Sequence, residues 1–94
     1  MNVQQTSLEA YRIIQSRLGD KQRRVYNLLR KASTVNMDMT NMEIATALHW
    51  SINRVTPRVK ELRVYGLVVH SQTRICTVTG YRAMAWKTRS VERV

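Results

Sequence analysis

Ninety-four residues suffice for one domain with a single modest core, and an apolar share of 44% beside 23% charged residues excludes a disordered chain. No apolar run approaches the roughly 18 residues of a membrane span or resembles a signal peptide, and the lone Cys76 excludes both an intrachain disulfide and a cysteine-built zinc site. Sixteen Lys and Arg against six Asp and Glu give a net charge of +10, so the expectation is a cytoplasmic protein with a polyanionic partner and no membrane.

The charge is uneven: residues 1–20 sum to zero, while residues 21–50, 51–70 and 71–94 contribute +3, +3 and +4. Residues 1–5 carry no pattern. Thr6 and Glu9 form a capping box that opens a first helix, whose stripe of Leu8, Tyr11, Ile14 and Leu18 either packs on the core or pairs two copies. Gly19 suits the residue just past that helix, and Asp20 the cap of the next. In "KQRRVYNLLRKAS" Val25, Leu28, Leu29 and Ala32 face inward, opposite Lys21, Arg23, Arg24, Arg30 and Lys31. "TVNMDMTN" has no period and reads as a loop. Thr40 or Asn41 then caps "MEIATAL", with Ile44, Ala45 and Leu48 buried, and "HWS" is a short turn beside which Trp50 packs.

"SINRVTPRVKEL" follows, where Ile52, Val55, Val59 and Leu62 draw one apolar stripe down a helix that contains a proline. Pro57 removes the bond to the Asn53 carbonyl, so a start at Asn53 or a break at Thr56-Pro57 would lower its cost. Gly66 marks the helix end. The apolar "LVV" and then "TRICTVTGYRAMAWK" read as strands around a turn near Thr79-Gly80, with Met84 and Trp86 on the core side and Cys76 buried or half-buried in a strand. The expected class is α+β, mainly α: a three-helix core ending in a β-hairpin, with an extra helix at 1–19, the core domain at 20–88 and a loose tail at 89–94.

The stretch "MTNMEIATALHWSINRVTPRVKELRVYGLV", residues 39–68, resembles the winged helix-turn-helix of the MarR-like group. Thr40, Glu43, Ile44, Ala45, Leu48, Ser51, Val55, Val59, Leu62, Gly66, Leu67 and Val68 carry the likeness. "RICTVTGYRAMAWK" is similar to the wing of small phage-borne winged-helix proteins. The resemblance implies a recognition helix over 51–65 in the major groove and a wing over 74–84 on the backbone or minor groove. One departure is His49, where such turns usually carry glycine; histidine tolerates positive φ less well. Many MarR-like proteins pair through long terminal helices, and only a short N-terminal one is present here, so monomer and homodimer both stay open.

With the stripe inward, Asn53, Arg54, Pro57, Lys60 and Glu61 point outward, with Thr56 and Arg58 on the flanks. Asn53 suits an adenine edge, Arg54 a guanine, and Thr56 either a polar edge or a thymine methyl. Arg58 and Lys60 suit phosphates, Pro57 shapes the outward surface, and Arg74 and Arg82 are the wing's candidate contacts. Arg23, Arg24 and Lys31 could reach flanking phosphates. His49 and His70 are isolated and no nucleophile, metal or phosphate-loop motif appears, so neither an enzyme nor a cofactor or metal is expected. The leading expectation is a sequence-preferring double-stranded DNA binder, a small bacterial or phage transcriptional regulator, in the host cytoplasm if phage-encoded. Its rivals are a module that binds a host protein and a non-specific architectural nucleic-acid binder.

Overall fold

The computed structural model describes residues 3–90, with residues 3–8 and 10 described by backbone alone. Its elements are α1 (Val3–Ser16), α2 (Asp20–Thr34), β1 (Met39–Thr40), α3 (Asn41–Leu48), α4 (Ile52–Val64), β2 (Val68–Ile75) and β3 (Arg82–Thr88). The described residues form an α+β arrangement of four helices and one antiparallel sheet, in strand order β1-β3-β2. The sheet has one strand more than expected. Met39 and Thr40, read as loop, pair with Trp86 and Ala85 of β3. A two-residue strand has no period of its own, and only its distant partner defines it.

The core forms where the helix stripes meet the sheet. Val25 and Leu29 of α2, Ile44 of α3, and Val55, Val59 and Leu62 of α4 are buried with Leu67, Val68 and Trp86. Each fully buried aliphatic side chain of this kind contributes about 1.5–3 kcal/mol relative to exposure. Tyr11, Ile14 and Leu18 close the core from the α1 side; the expected fourth member, the Leu8 side chain, lies outside the described residues. A hydrogen-bond relay fastens α1: Gln15 Nε2 donates to Tyr26 Oη at 2.9 Å, Tyr26 Oη lies 3.3 Å from Tyr11 Oη, and Tyr11 Oη donates to the Arg89 carbonyl at 3.1 Å. Burial, reinforced by the Tyr26 hydroxyl, pushes the Tyr11 phenol well above its ordinary range. Arg89 N–H also donates to the Leu67 carbonyl at 2.9 Å, so the start of the expected tail is held; residues 91–94 lie outside the described residues.

The helix ends correct two expectations and explain a third. α1 already runs at Val3, so Thr6 lies within it rather than before it. Gly19 is the cap of α2, in extended backbone, with its N–H bonded to Gln22 Oε1, and Asp20 is the first helical residue. His49 takes the left-handed conformation, φ 58°, that a glycine would take without strain. Trp50 N–H reaches the Ala45 carbonyl and His49 N–H the Thr46 carbonyl, the paired bonds of a Schellman turn. Asn36 after α2 and Gly66 after α4 end their helices by the same pattern. His49→Gly should therefore stabilise the chain, by about 0.5–1 kcal/mol after the extra freedom of the unfolded glycine is deducted. Urea unfolding would read this as a higher midpoint with unchanged slope; a lower midpoint would mean the imidazole itself is stabilising.

α4 neither starts late nor breaks. It begins at Ile52 after Ser51, whose carbonyl accepts from both Arg54 and Val55, and it runs through Pro57 to Val64. Val55 lies before the proline and Val59 and Leu62 after it, all at most 2% exposed, so the core grips both halves of the helix. Pro57 itself is exposed.

Candidate nucleic-acid interface

Helical geometry sorts the surface of α4 into three rows. Asn53, Pro57, Lys60 and Val64 form the outermost ridge, and all four are exposed. Arg54, Arg58 and Glu61 lie on the flank toward α2. Thr56 and Arg63 lie on the opposite flank, where Asn41 Nδ2 at the start of α3 approaches Thr56 Oγ1 at 3.4 Å and the Arg63 guanidinium covers the Trp86 ring of β3 at 4.4 Å.

Glu61, expected to point outward, is half-buried against the start of α2. Arg58 Nε and Nη2 donate to its two oxygens at 2.7 and 3.1 Å, and Gln22 Nε2 adds a third bond. These bonds, with Arg58 the largest contributor, hold the Glu61 carboxyl below its ordinary range. Arg58 is thus the partner of Glu61 rather than an unengaged cation. The only acid of α4 is neutralised, and the outer ridge carries no negative charge.

Arg74 is the clearest correction. Its five N–H donors are all occupied. Nε and Nη2 bond Asp38 Oδ1 and the Asp38 carbonyl, Nη1 and Nη2 bond the two oxygens of Glu43, and Nη1 also reaches the Ile75 carbonyl. Its side chain is 24% exposed, with every donor committed to the protein. The partners come from far along the chain, which is why strand alternation could not reveal them. Ser71 and Gln72, consecutive residues, both donate to Asp38 Oδ2 because a bulge between His70 and Gln72 disturbs the pleat.

Glu43 is the other half of this lock. It is 9% exposed and accepts from Thr40 N–H, from Arg74 twice, and from the N–H and hydroxyl of Thr77. The Arg74 bonds lead, and with those from Thr77 and Thr40 they outweigh desolvation and hold its carboxyl at about 2. Asp38 would be raised by desolvation, but bonds from Ser71, Gln72 and Arg74 hold it below its ordinary value. The lock ties the start of α3 to β2 and to the hairpin turn. Thr40-x-x-Glu43 is itself a capping box, the one local signal that Glu43 folds inward.

The hairpin tip is a turn over residues 76–81, with Gly80 at φ 76°. Cys76 lies in this turn rather than in a strand. It is 1% exposed, with Sγ 3.1 Å from Thr40 Oγ1. Burial alone would raise its thiol, but hydrogen bonds from Thr40, Thr79 and Val78 outweigh it and bring the thiol to about 7. Arg82 and Tyr81 are exposed beside the turn. Trp86 is buried, but Met84, two residues nearer the tip, is 45% exposed.

At the other end of the surface, Trp50 joins two arginines from different helices. The Arg24 guanidinium carbon of α2 lies 5.4 Å from the ring centroid, and that of Arg54 of α4 lies 5.5 Å from it. Arg23, by contrast, donates to the Leu18 carbonyl. The structure therefore gathers Asn53, Arg54, Thr56, Pro57 and Lys60 on and beside one ridge and places Arg24 next to them. Arg82 stands on the hairpin, while Arg58 and Arg74 are engaged internally. Among the described residues no group of three or more His, Cys, Asp or Glu could hold a metal ion, and no helix is long and apolar enough to cross a membrane. No family model matches the chain, and no curated protein matches it significantly.

Proposed function

We propose that this chain is a MarR-like winged helix-turn-helix protein that binds double-stranded DNA with sequence preference, as a small bacterial or phage transcriptional regulator. α4 is the recognition helix and the β2–β3 hairpin the wing. The observation that carries this reading is the outer surface of α4: an exposed, acid-free ridge with an amide, a hydroxyl and cations near its N-terminal turns, opposite the buried Val55, Val59 and Leu62. Those are the groups that read base edges when a helix enters the major groove. The net charge of +10 supports it: three of the five described acids are held by two arginines, and the other described cations make no ion pair.

If about six phosphates are neutralised per protomer, affinity for a duplex should fall on the order of a thousandfold between about 50 and 200 mM salt. Fluorescence anisotropy on a labelled duplex measures this directly, and a flat salt response would contradict the proposal.

Pro57 has its own test. Pro57→Ala restores the bond to the Asn53 carbonyl, so stability should be kept or raised, while the ring that stands between Asn53 and Lys60 is lost. The set of preferred duplexes should shift. An unchanged preference would show that the proline plays no part in shaping the surface.

A protein partner is the second reading. It is favoured by the exposed apolar side chains at the hairpin tip, where Ile75, Val78 and Tyr81 are 53%, 45% and 78% exposed.

A further inference from the structure

Trp50 is half-buried between the helices of the turn, and both of its cationic neighbours belong to the surface just described. A guanidinium lying on an indole face is attracted by the ring quadrupole. It also gives up much of the rotamer freedom that a long exposed arginine would otherwise lose on binding. Arg54 is on the α2-side flank of α4 and makes no ion pair among the described residues. The indole is thus its principal side-chain restraint, and it shares that restraint with Arg24.

We infer that Trp50 is a positioning residue for DNA recognition, holding Arg54 in a reading orientation and Arg24 at the adjacent phosphate without itself touching a base. This rests on the DNA-binding reading and adds to it a residue that base contacts alone would not identify. Because Trp50 acts through Arg54, its removal should alter preference at the same base position that Arg54→Ala alters. A residue needed only for packing would weaken every sequence equally.

The test uses the full chain with Trp50→Leu, Trp50→Phe and Arg54→Ala, and two readouts. The first needs no DNA: the Arg54 Nε–H resonance in the wild type should carry a ring-current shift that Trp50→Leu removes and Trp50→Phe largely retains. Absence of that shift in the wild type overturns the proposal. The second is base preference from duplexes selected out of a random pool. Trp50→Leu should lower discrimination at the Arg54 position by roughly two- to fivefold, the Phe variant should restore most of it, and Leu combined with Arg54→Ala should lose no more than Arg54→Ala alone. A uniform loss across all positions, or an intact preference in Trp50→Leu, overturns it. Should Trp50→Leu fail to fold, the wild-type ring-current shift still decides, and any loss of discrimination in Trp50→Phe must fall at the Arg54 position alone; a loss spread over all positions overturns the proposal. A wild type that retains no duplex at all overturns the DNA-binding reading itself, a result visible without any variant.

Discussion

Arg74→Leu is expected to cost at most about 3–5 kcal/mol, the range for removing one partner from a fully buried ion pair, since Arg74 itself is 24% exposed. It strands Asp38 and Glu43, whose side chains are 10% and 9% exposed, with no cation to neutralise either. A domain of this size has only about 5–15 kcal/mol in total, so the variant should be marginal or unfolded at 37 °C. Arg74→Lys keeps the charge but offers three donors on one atom in place of five in a fork, and should fall between the two. Thermal and urea unfolding measure both. Since Arg74 is engaged internally, the proposed DNA binding of the Lys variant, where still folded, should keep an unchanged salt slope; a lower slope would return Arg74 to the proposed DNA surface.

The same lock sets the acid response. Glu43 is depressed from 4.5 to about 2 in the folded chain, and Asp38 is shifted in the same direction. A depressed carboxyl stabilises the fold fully above its unfolded value, because there the unfolded chain is equally deprotonated. As pH falls below 4.5 the unfolded state takes the proton first, and the contribution is lost progressively until about 2. Wild-type stability should therefore decline through this window, and Arg74→Leu should decline less steeply. A wild type equally stable at both ends would mean that Glu43 is not held by Arg74 in solution.

Arg54→Ala is the largest expected effect on recognition. On the proposed reading, Arg54 makes a bidentate contact to guanine, and its loss should cost about 1–3 kcal/mol on the preferred duplex and relax preference at one position. Lys60→Ala, on the outer ridge, should behave differently: a similar small loss on every sequence, and a salt slope reduced by about one. Titrating both variants against preferred and scrambled duplexes separates the roles. If both variants lose affinity equally on both duplexes, the ridge supplies charge without reading bases.

What could be read in advance follows from how local each signal is. The α4 stripe, the cap at Thr40 and the Gly66 ending depend on neighbours three to five residues away, and the structure shows them all; Ser51 stands at the start of α4 without a side-chain cap bond. The His49 departure was legible as a demand for positive φ, and the chain meets that demand. β1 was not legible, because Met39 and Thr40 owe their strand character to Trp86 and Ala85. Arg74 failed for the same reason, with carboxylates 36 and 31 residues away. Met84 shows a subtler limit: alternation tells which face a side chain takes, not whether anything covers that face. Arg58 was within reach of sequence reasoning, since Glu61 three residues on is a helical ion-pair partner.

Selection of bound fragments from a random duplex pool at near-physiological salt, followed by sequencing, tests the central claim most directly. The account predicts a recurring motif whose strongest position weakens in Arg54→Ala, and an inverted repeat in that motif would mark a dimer. Retained DNA with no motif would contradict sequence readout and leave architectural binding. Failure to retain DNA would contradict nucleic-acid binding and turn the search to a protein partner at the hairpin tip.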